Sequence, residues 1–200
     1  MTWAFLALAY LVGAIPTSFL VARAVQGIDL RHHGSGNLGA TNTFRVLGWR
    51  PALPVVVVDV GKGWVPTALF PLWDGAEPLE WALAYGVAAI LGHVFSVYVG
   101  FKGGKGVATS AGVFTALAPW AVLIGAIVWG VVVTLTRIVS VASLVAALVL
   151  PFAVFATNEP AAEIWLSIGL ALFVVYAHRS NIRRLVRGEE NRFSRSTEKA

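Results

Sequence analysis

Apolar positions along this chain gather into long runs, and polar positions fall into short islands between them. The runs lie at 2–22, 51–72, 81–99, 107–120, 121–135, 139–156 and 162–177. A helix needs about 20 apolar residues to cross roughly 30 Å of hydrocarbon. The runs 2–22, 51–72 and 81–99 meet that length. Gly13 and Pro16 predict a bend in the first of them. The stretch 107–135 reads as two helices broken at Pro119-Trp120, because one unbroken helix would carry Arg137 and everything downstream to the other side. The first half, 107–120, is then only about 21 Å long at 1.5 Å per residue, which predicts a tilted or enclosed segment. The pattern predicts an all-α polytopic membrane protein with about seven transmembrane helices. It reads as a single domain over 1–200, with 187–200 as a frayed tail.

Charge orients these elements. Two islands hold acids and no bases: 73–80, with Asp74, Glu77 and Glu80, and 157–163, with Glu159 and Glu163. The fifteen Lys and Arg residues fall in Arg23–Lys62, in Lys102–Lys105, at Arg137 and from Arg179 onward. Positive loops stay on the cytoplasmic side. The N-terminus is therefore expected outside, and the C-terminus and every basic island inside. The first run has no base before it and no Ala-x-Ala site after it, so it reads as a retained span rather than a signal peptide.

Composition narrows the function. A chain 58% hydrophobic and 12% charged cannot cover itself in water. The net charge of +5 follows from orientation, so no nucleic-acid partner is expected. The absence of cysteine excludes disulfides, a thiol nucleophile and thiolate metal sites. The acids on the basic side, Asp29, Asp59, Glu189, Glu190 and Glu198, are scattered. That weighs against a metal-dependent head-group transferase, and neither metal nor cofactor is expected.

Three islands on the basic side carry candidate chemistry. In the first, Gly34, Ser35, Gly36 and Asn37 offer backbone N–H groups and a hydroxyl, and 40–47 reads as a helix bringing Arg45 near the same surface. Such donors with a guanidinium suit a phosphate; a plain cytoplasmic loop would also read this way. The second is Phe101-Lys102-Gly103-Gly104-Lys105-Gly106, directly before a helix at Val107. Its glycines, the helix N-terminus and Lys105 make an anion cradle, but Val99 and Gly106 stand where a Walker A loop needs Gly and Ser/Thr. A tight turn with stop-transfer lysines is the alternative. The third runs from His178 to Glu190; if the last helix continues through it, His178 and Asn181 share a face, while Arg183, Arg184 and Arg187 suit anionic lipid. Near the cytoplasmic end of the second span, Asp59 and Lys62 are spaced to pair. His93 reads equally as a satisfied core residue or a functional one. Ser140 and Ser143 open the sixth helix, where such serines mostly bond back to a helix carbonyl.

Together these segments resemble the bacterial acyl-phosphate:glycerol-3-phosphate acyltransferase family, the small integral-membrane type. The resemblance rests on Gly13-Ala14-Ile15-Pro16, on Gly34 to Asn42 with Arg45, and on Asp59 with Lys62-Gly63. It continues through Gly92-His93, Phe101 to Thr109, His178 to Leu185 and Gly188-Glu189. Ala14 stands where the family often has Ser, Ser96 where Pro is common, and the Ser140–Ser143 pair is looser than usual.

The resemblance implies transfer of an acyl group from fatty acyl phosphate to the 1-hydroxyl of sn-glycerol 3-phosphate, at the cytoplasmic face of a bacterial inner membrane. It implies Ser35, Arg45, Lys105, Ser143, His178 and Asn181 around the substrates, with Gly34, Gly36, Asn37, Asn42, Gly103, Gly104 and Gly106 shaping their binding. The rival reading is a transporter or channel for an anionic solute. That reading wants polar residues near the midplane, whereas most here lie at the rim. No acid is spaced to orient His178, so a substrate phosphate is expected to take the proton from the attacking hydroxyl.

Overall fold

The computed structural model describes residues 1–75 and 78–193, so Glu77 and the bases after Arg192 lie outside the described residues. All regular structure among the described residues is helical. The chain forms two compact units, Met1–Pro119 and the part from Trp120 onward. The first holds α1 (Thr2–Ala14), α2 (Thr17–Gln26), α3 (Ala40–Leu47), α4 (Trp49–Asp74), α5 (Pro78–Val94) and α6 (Val107–Leu117). The second holds α7 (Pro119–Thr136), α8 (Val139–Ala156), α9 (Ala161–Ala177) and α10 (Arg179–Val186).

All seven apolar runs are mainly helical, with interruptions at Ile15–Pro16, where a bend was expected, and at Ala118, beside the expected break at Pro119-Trp120. Five helices are long and apolar enough to cross a membrane, with α1 and α2 counted as one span over Thr2–Gln26. The number is six if α9 and α10, bent by 57° at His178, count as one. The remaining run is the short apolar helix α6. Asp59 and Lys62, expected near the cytoplasmic end of their span, sit instead near the middle of α4.

Glycine sets the packing of the first unit. A Cβ on Gly13 would meet the carbonyl of Ala89, and one on Gly92 would meet that of Tyr10. Gly63 lies the same way against Thr109, and Gly112 against Val60. The backbones of α1 and α5, and of α4 and α6, therefore touch at two levels each. Such small-residue contacts drive helix association in lipid, where apolar burial alone gives little. They also enclose α6, which buries Thr109, Ser110, Gly112, Val113 and Phe114 despite its length. At one end of this unit, Phe5, Phe70, Trp81 and Tyr85 form an aromatic cluster, and the Tyr85 hydroxyl donates to Asp74. The candidate loops lie at the other end, after α2 and after α5.

In the second unit α8 packs along α9. The segment after α10 departs from the expected frayed tail as far as Phe193. Gly188 turns the chain back (φ 71°), and Phe193 N–H donates to Arg137 O at 2.7 Å.

Candidate active site

In the first unit, the loop at 27–39 is shaped by two side chains. Asp29 accepts from Arg31 N–H at 3.0 Å, and the Arg31 guanidinium returns to its carboxylate at 2.7 Å. The side-chain bond from Arg31 holds the Asp29 carboxyl down at about 2. Arg31 Nη1 also donates to Val99 O at 3.2 Å, tying this loop to the turn that precedes Phe101. Asn42 does the rest. Its Oδ1 accepts from Ser35 N–H at 2.8 Å, and its Nδ2 donates to His33 O at 3.0 Å and Leu30 O at 3.4 Å. Gly34 is left-handed (φ 61°), and a Cβ there would meet Asn42 Oδ1. Asn42, expected to touch substrate, is thus a loop-building residue, buried and engaged at both ends of its amide. Ser35 and Gly36 are exposed, Asn37 is half-buried, and Arg45 is exposed in the last turn of α3.

The second loop differs from its sequence reading in one respect. Gly103 N–H donates to Val94 O at 3.0 Å and Gly104 N–H to His93 O at 3.2 Å. These two donors, expected to face a phosphate, instead close the end of α5. A Cβ on Gly104 would strike the His93 ring and Leu38 O, so the glycine allows the two loops to abut. Donors for an anion remain one step later. Gly106 (φ 83°) opens α6 with no side-chain cap, and the first N–H groups of a helix have no partner within it. Lys105 is half-buried beside that helix start.

In the second unit, His178 sits at the α9–α10 bend, 3% exposed, rather than within a continuous helix. Its Nδ1 lies 2.8 Å from Val174 O. A carbonyl only accepts, so Nδ1 carries the proton in this bond. Asn181 Nδ2 donates to Glu190 Oε1 at 2.6 Å, Ser140 Oγ to the same oxygen at 2.8 Å, and Arg184 Nε to Oε2 at 2.7 Å. Burial pushes the Glu190 carboxyl up, but the bonds from Asn181, Ser140 and Arg184 outweigh it and leave it below the usual range. Ser143, one turn beyond Ser140, accepts from Trp129 Nε1 at 3.3 Å. Neither serine bonds back to a helix carbonyl in the expected way.

Sequence reasoning counted Glu190 among scattered acids and missed its role. The available signal was an acid pair directly after Gly188 in a segment otherwise basic. Arg184, expected on lipid, is paired with it, whereas Arg183 and Arg187 are exposed. Ser35, Arg45 and Lys105 thus belong to the first unit, and Ser143, His178 and Asn181 to the second. Among the described residues no cluster of His, Asp and Glu could hold a metal.

A glycerol-3-phosphate acyltransferase family model matches residues 3–188. The glycerol-3-phosphate acyltransferase of Geobacter sulfurreducens is 44% identical, covering 94% of this chain and 95% of that protein. The one from Desulforudis audaxviator is 47% identical, covering 94% and 93%. The crystal structure of PlsY (YgiH), an integral membrane glycerol 3-phosphate acyltransferase, in its glycerol 3-phosphate form superposes with a TM-score of 0.90 at 36% identity, covering 96% of each chain. Its lysophosphatidic acid form superposes at 0.87 with 35% identity, covering 96% of this chain and 95% of that one. On this evidence the chain belongs to the PlsY-type glycerol-3-phosphate acyltransferase family of integral membrane proteins.

Proposed function

We propose that this chain transfers the acyl group of a fatty acyl phosphate to the 1-hydroxyl of sn-glycerol 3-phosphate, giving lysophosphatidic acid and inorganic phosphate. The observation that carries the reading is the likeness, over 96% of the chain, to an acyltransferase known in glycerol 3-phosphate and lysophosphatidic acid forms. Lys105 and the uncapped start of α6 hold the phosphate of glycerol 3-phosphate, where charge and helix dipole act together. Ser35 and Arg45 hold the acyl phosphate. Ser143 and Asn181 align the hydroxyl or polarise the carbonyl. In this reading 1–200 works as one catalytic domain.

In the transfer, the hydroxyl oxygen bonds to the acyl carbon. The bond from that carbon to the phosphate oxygen breaks, and phosphate leaves with the electron pair. The acyl phosphate is already activated, so no covalent enzyme intermediate is needed. The hydroxyl proton passes to a phosphate oxygen, whose second pKa is near 6. His178 supports this assignment, since a backbone carbonyl rather than a carboxylate holds its Nδ1–H. His178 then orients the hydroxyl by hydrogen bonding. His178→Gln should keep clearly more activity than His178→Ala; equal loss in both, with glycerol 3-phosphate affinity and stability unchanged, would make His178 the base.

The distribution of bases supports a cytoplasmic site in a bacterial inner membrane, with the N-terminus outside and the C-terminus inside. Cysteines at Asp74 and Glu159 should label from outside with an impermeant thiol reagent, and cysteines at Ser35 and Lys102 should not. The reaction is tested with purified protein in lipid nanodiscs, labelled glycerol 3-phosphate, and acyl phosphate, acyl-CoA or acylated carrier protein in turn. Lysophosphatidic acid with one equivalent of phosphate should form from acyl phosphate alone. Product from a thioester donor would overturn the donor assignment.

A further inference from the structure

Asp59, Lys62 and His93 have no part in the proposed reaction, yet they are buried together, at 2%, 5% and 7% exposure. Asp59 Oδ1 accepts from Lys62 Nζ at 2.7 Å and from Thr17 Oγ1 at 3.0 Å. Lys62 Nζ also donates to Ile15 O at 2.8 Å. A buried ion pair is a poor source of stability compared with apolar packing of the same volume. Ionisable groups inside a span therefore call for a role.

The geometry of His93 supplies one. Its Nδ1 lies 3.9 Å from Asp59 Oδ1, with no hydrogen-bond partner among the described residues. Its Nε2 faces Gly104 so closely that a Cβ there would fall on it. The carbonyls of His93 and Val94 accept the N–H groups of Gly104 and Gly103. Leu38 O of the first loop crowds the same Cβ position of Gly104. The pocket lined by Asp59, Lys62, His93, Ser96, Gly103 and Gly104 has a volume of about 10 Å³, which suits a single water and not a substrate. The imidazole is therefore a wedge between the Asp59–Lys62 pair below and the loop that carries Lys105 above.

We propose that His93 is a positioning residue for acyl transfer: its ring, seated on Asp59, sets the height of the Gly103–Gly104 turn and with it the placement of Lys105 and the first turn of α6. This rests on the reading that Lys105 holds the phosphate of glycerol 3-phosphate.

The test measures KM for each substrate, kcat and melting temperature in nanodiscs for His93→Ala, His93→Gln and Lys105→Ala. A misplacement of about 1 Å can cost on the order of 10²-fold. His93→Ala should raise KM for glycerol 3-phosphate at least about tenfold on that scale, and leave KM for acyl phosphate within about twofold. His93→Gln, which keeps much of the bulk and polarity, should recover most of the loss. A merely structural His93 would lower the melting temperature and the amount of active enzyme while both KM values stay put, and that result overturns the proposal. So does an equal rise in both KM values. If His93→Ala does not fold, His93→Gln alone decides: a rise confined to KM for glycerol 3-phosphate supports the role, and unchanged KM values reject it. Lys105→Ala separates the two layers. If it leaves KM for glycerol 3-phosphate unchanged, the underlying reading fails; if it raises KM while the His93 variants are silent, only the positioning role fails.

Discussion

Around residues 101–106 the polar groups are placed by main chain: carbonyls of His93 and Val94 take the loop's N–H groups, and Leu38 O lies against Gly104. Around Glu190 they are placed by one side chain, which gathers Ser140, Asn181 and Arg184. Both regions contribute residues that the family resemblance implies in catalysis, yet they tolerate change differently. A site held by backbone contact fails when a single carbon is added. A site held by a carboxylate fails when charge or reach is lost, and it responds to pH.

The sharpest way to break the first region is Gly104→Ala. The added Cβ meets the His93 ring and a backbone carbonyl, and only the ring could yield. Catalytic efficiency should fall about 10²-fold, while the protein still inserts and assembles. Activity assays beside size-exclusion profiles check both halves; near-normal kinetics would show that the loop is not held by this contact.

In the second region, Glu190→Ala leaves Arg184 and Asn181 without their acceptor. Loss of a fully buried pair costs roughly 3–5 kcal/mol. The Arg184 side chain is 31% exposed, so screening reduces this to about 1–3 kcal/mol, or several degrees of melting temperature. Glu190→Gln, which still accepts from Ser140, should lose clearly less. Equal losses would mean that the charge, not the hydrogen-bonded shape, holds the region.

Acid should weaken the second region in a way that variant reveals. The Glu190 carboxyl is lowered in the folded protein. Its contribution is therefore complete above the unfolded value near 4.3 and is lost as pH falls through the folded value. Melting temperature measured from pH 6 down to pH 3 should drop less steeply in Glu190→Gln than in the parent. Parallel curves would assign the acid sensitivity elsewhere, with Asp29, held at about 2, the next carboxyl to examine.

The smallest effect is expected at the exposed neighbours Arg183 and Arg187. Alanine at either should leave stability within about 0.5 kcal/mol and activity within about twofold in neutral lipid. A larger loss at Arg183 would extend the carboxylate-centred region along α10.

Sequence periodicity revealed the helices because each apolar run is a local property, and proline marked the breaks at Ile15–Pro16 and Ala118 for the same reason. The candidate residues were legible as motifs, but their division of labour was not. Asn42 looks like a polar loop residue suited to a ligand, and only the fold shows both ends of its amide engaged. Gly103 and Gly104 offer N–H groups on paper, but α5 ends with carbonyls that claim them. Glu190 stayed hidden because its partners, Ser140 and Asn181, are brought to it by a turn at Gly188 and by the packing of α8 beside α9.

The break between α1 and α2 inverts the usual rule about helix formers. An intact helix would consume its own carbonyls. Here Pro16 interrupts the ladder, and the Ala14 and Ile15 oxygens are taken instead by Ser96 at 2.5 Å and Lys62 at 2.8 Å. The defect in one span is the solvation shell of a cation in another. Replacing Pro16 with a residue that heals the helix would improve α1 by local measures, yet take from Lys62 its carbonyl partner and leave Asp59 to hold it. The least helical residue of the first span is thus part of what lets a charge reside among the helices.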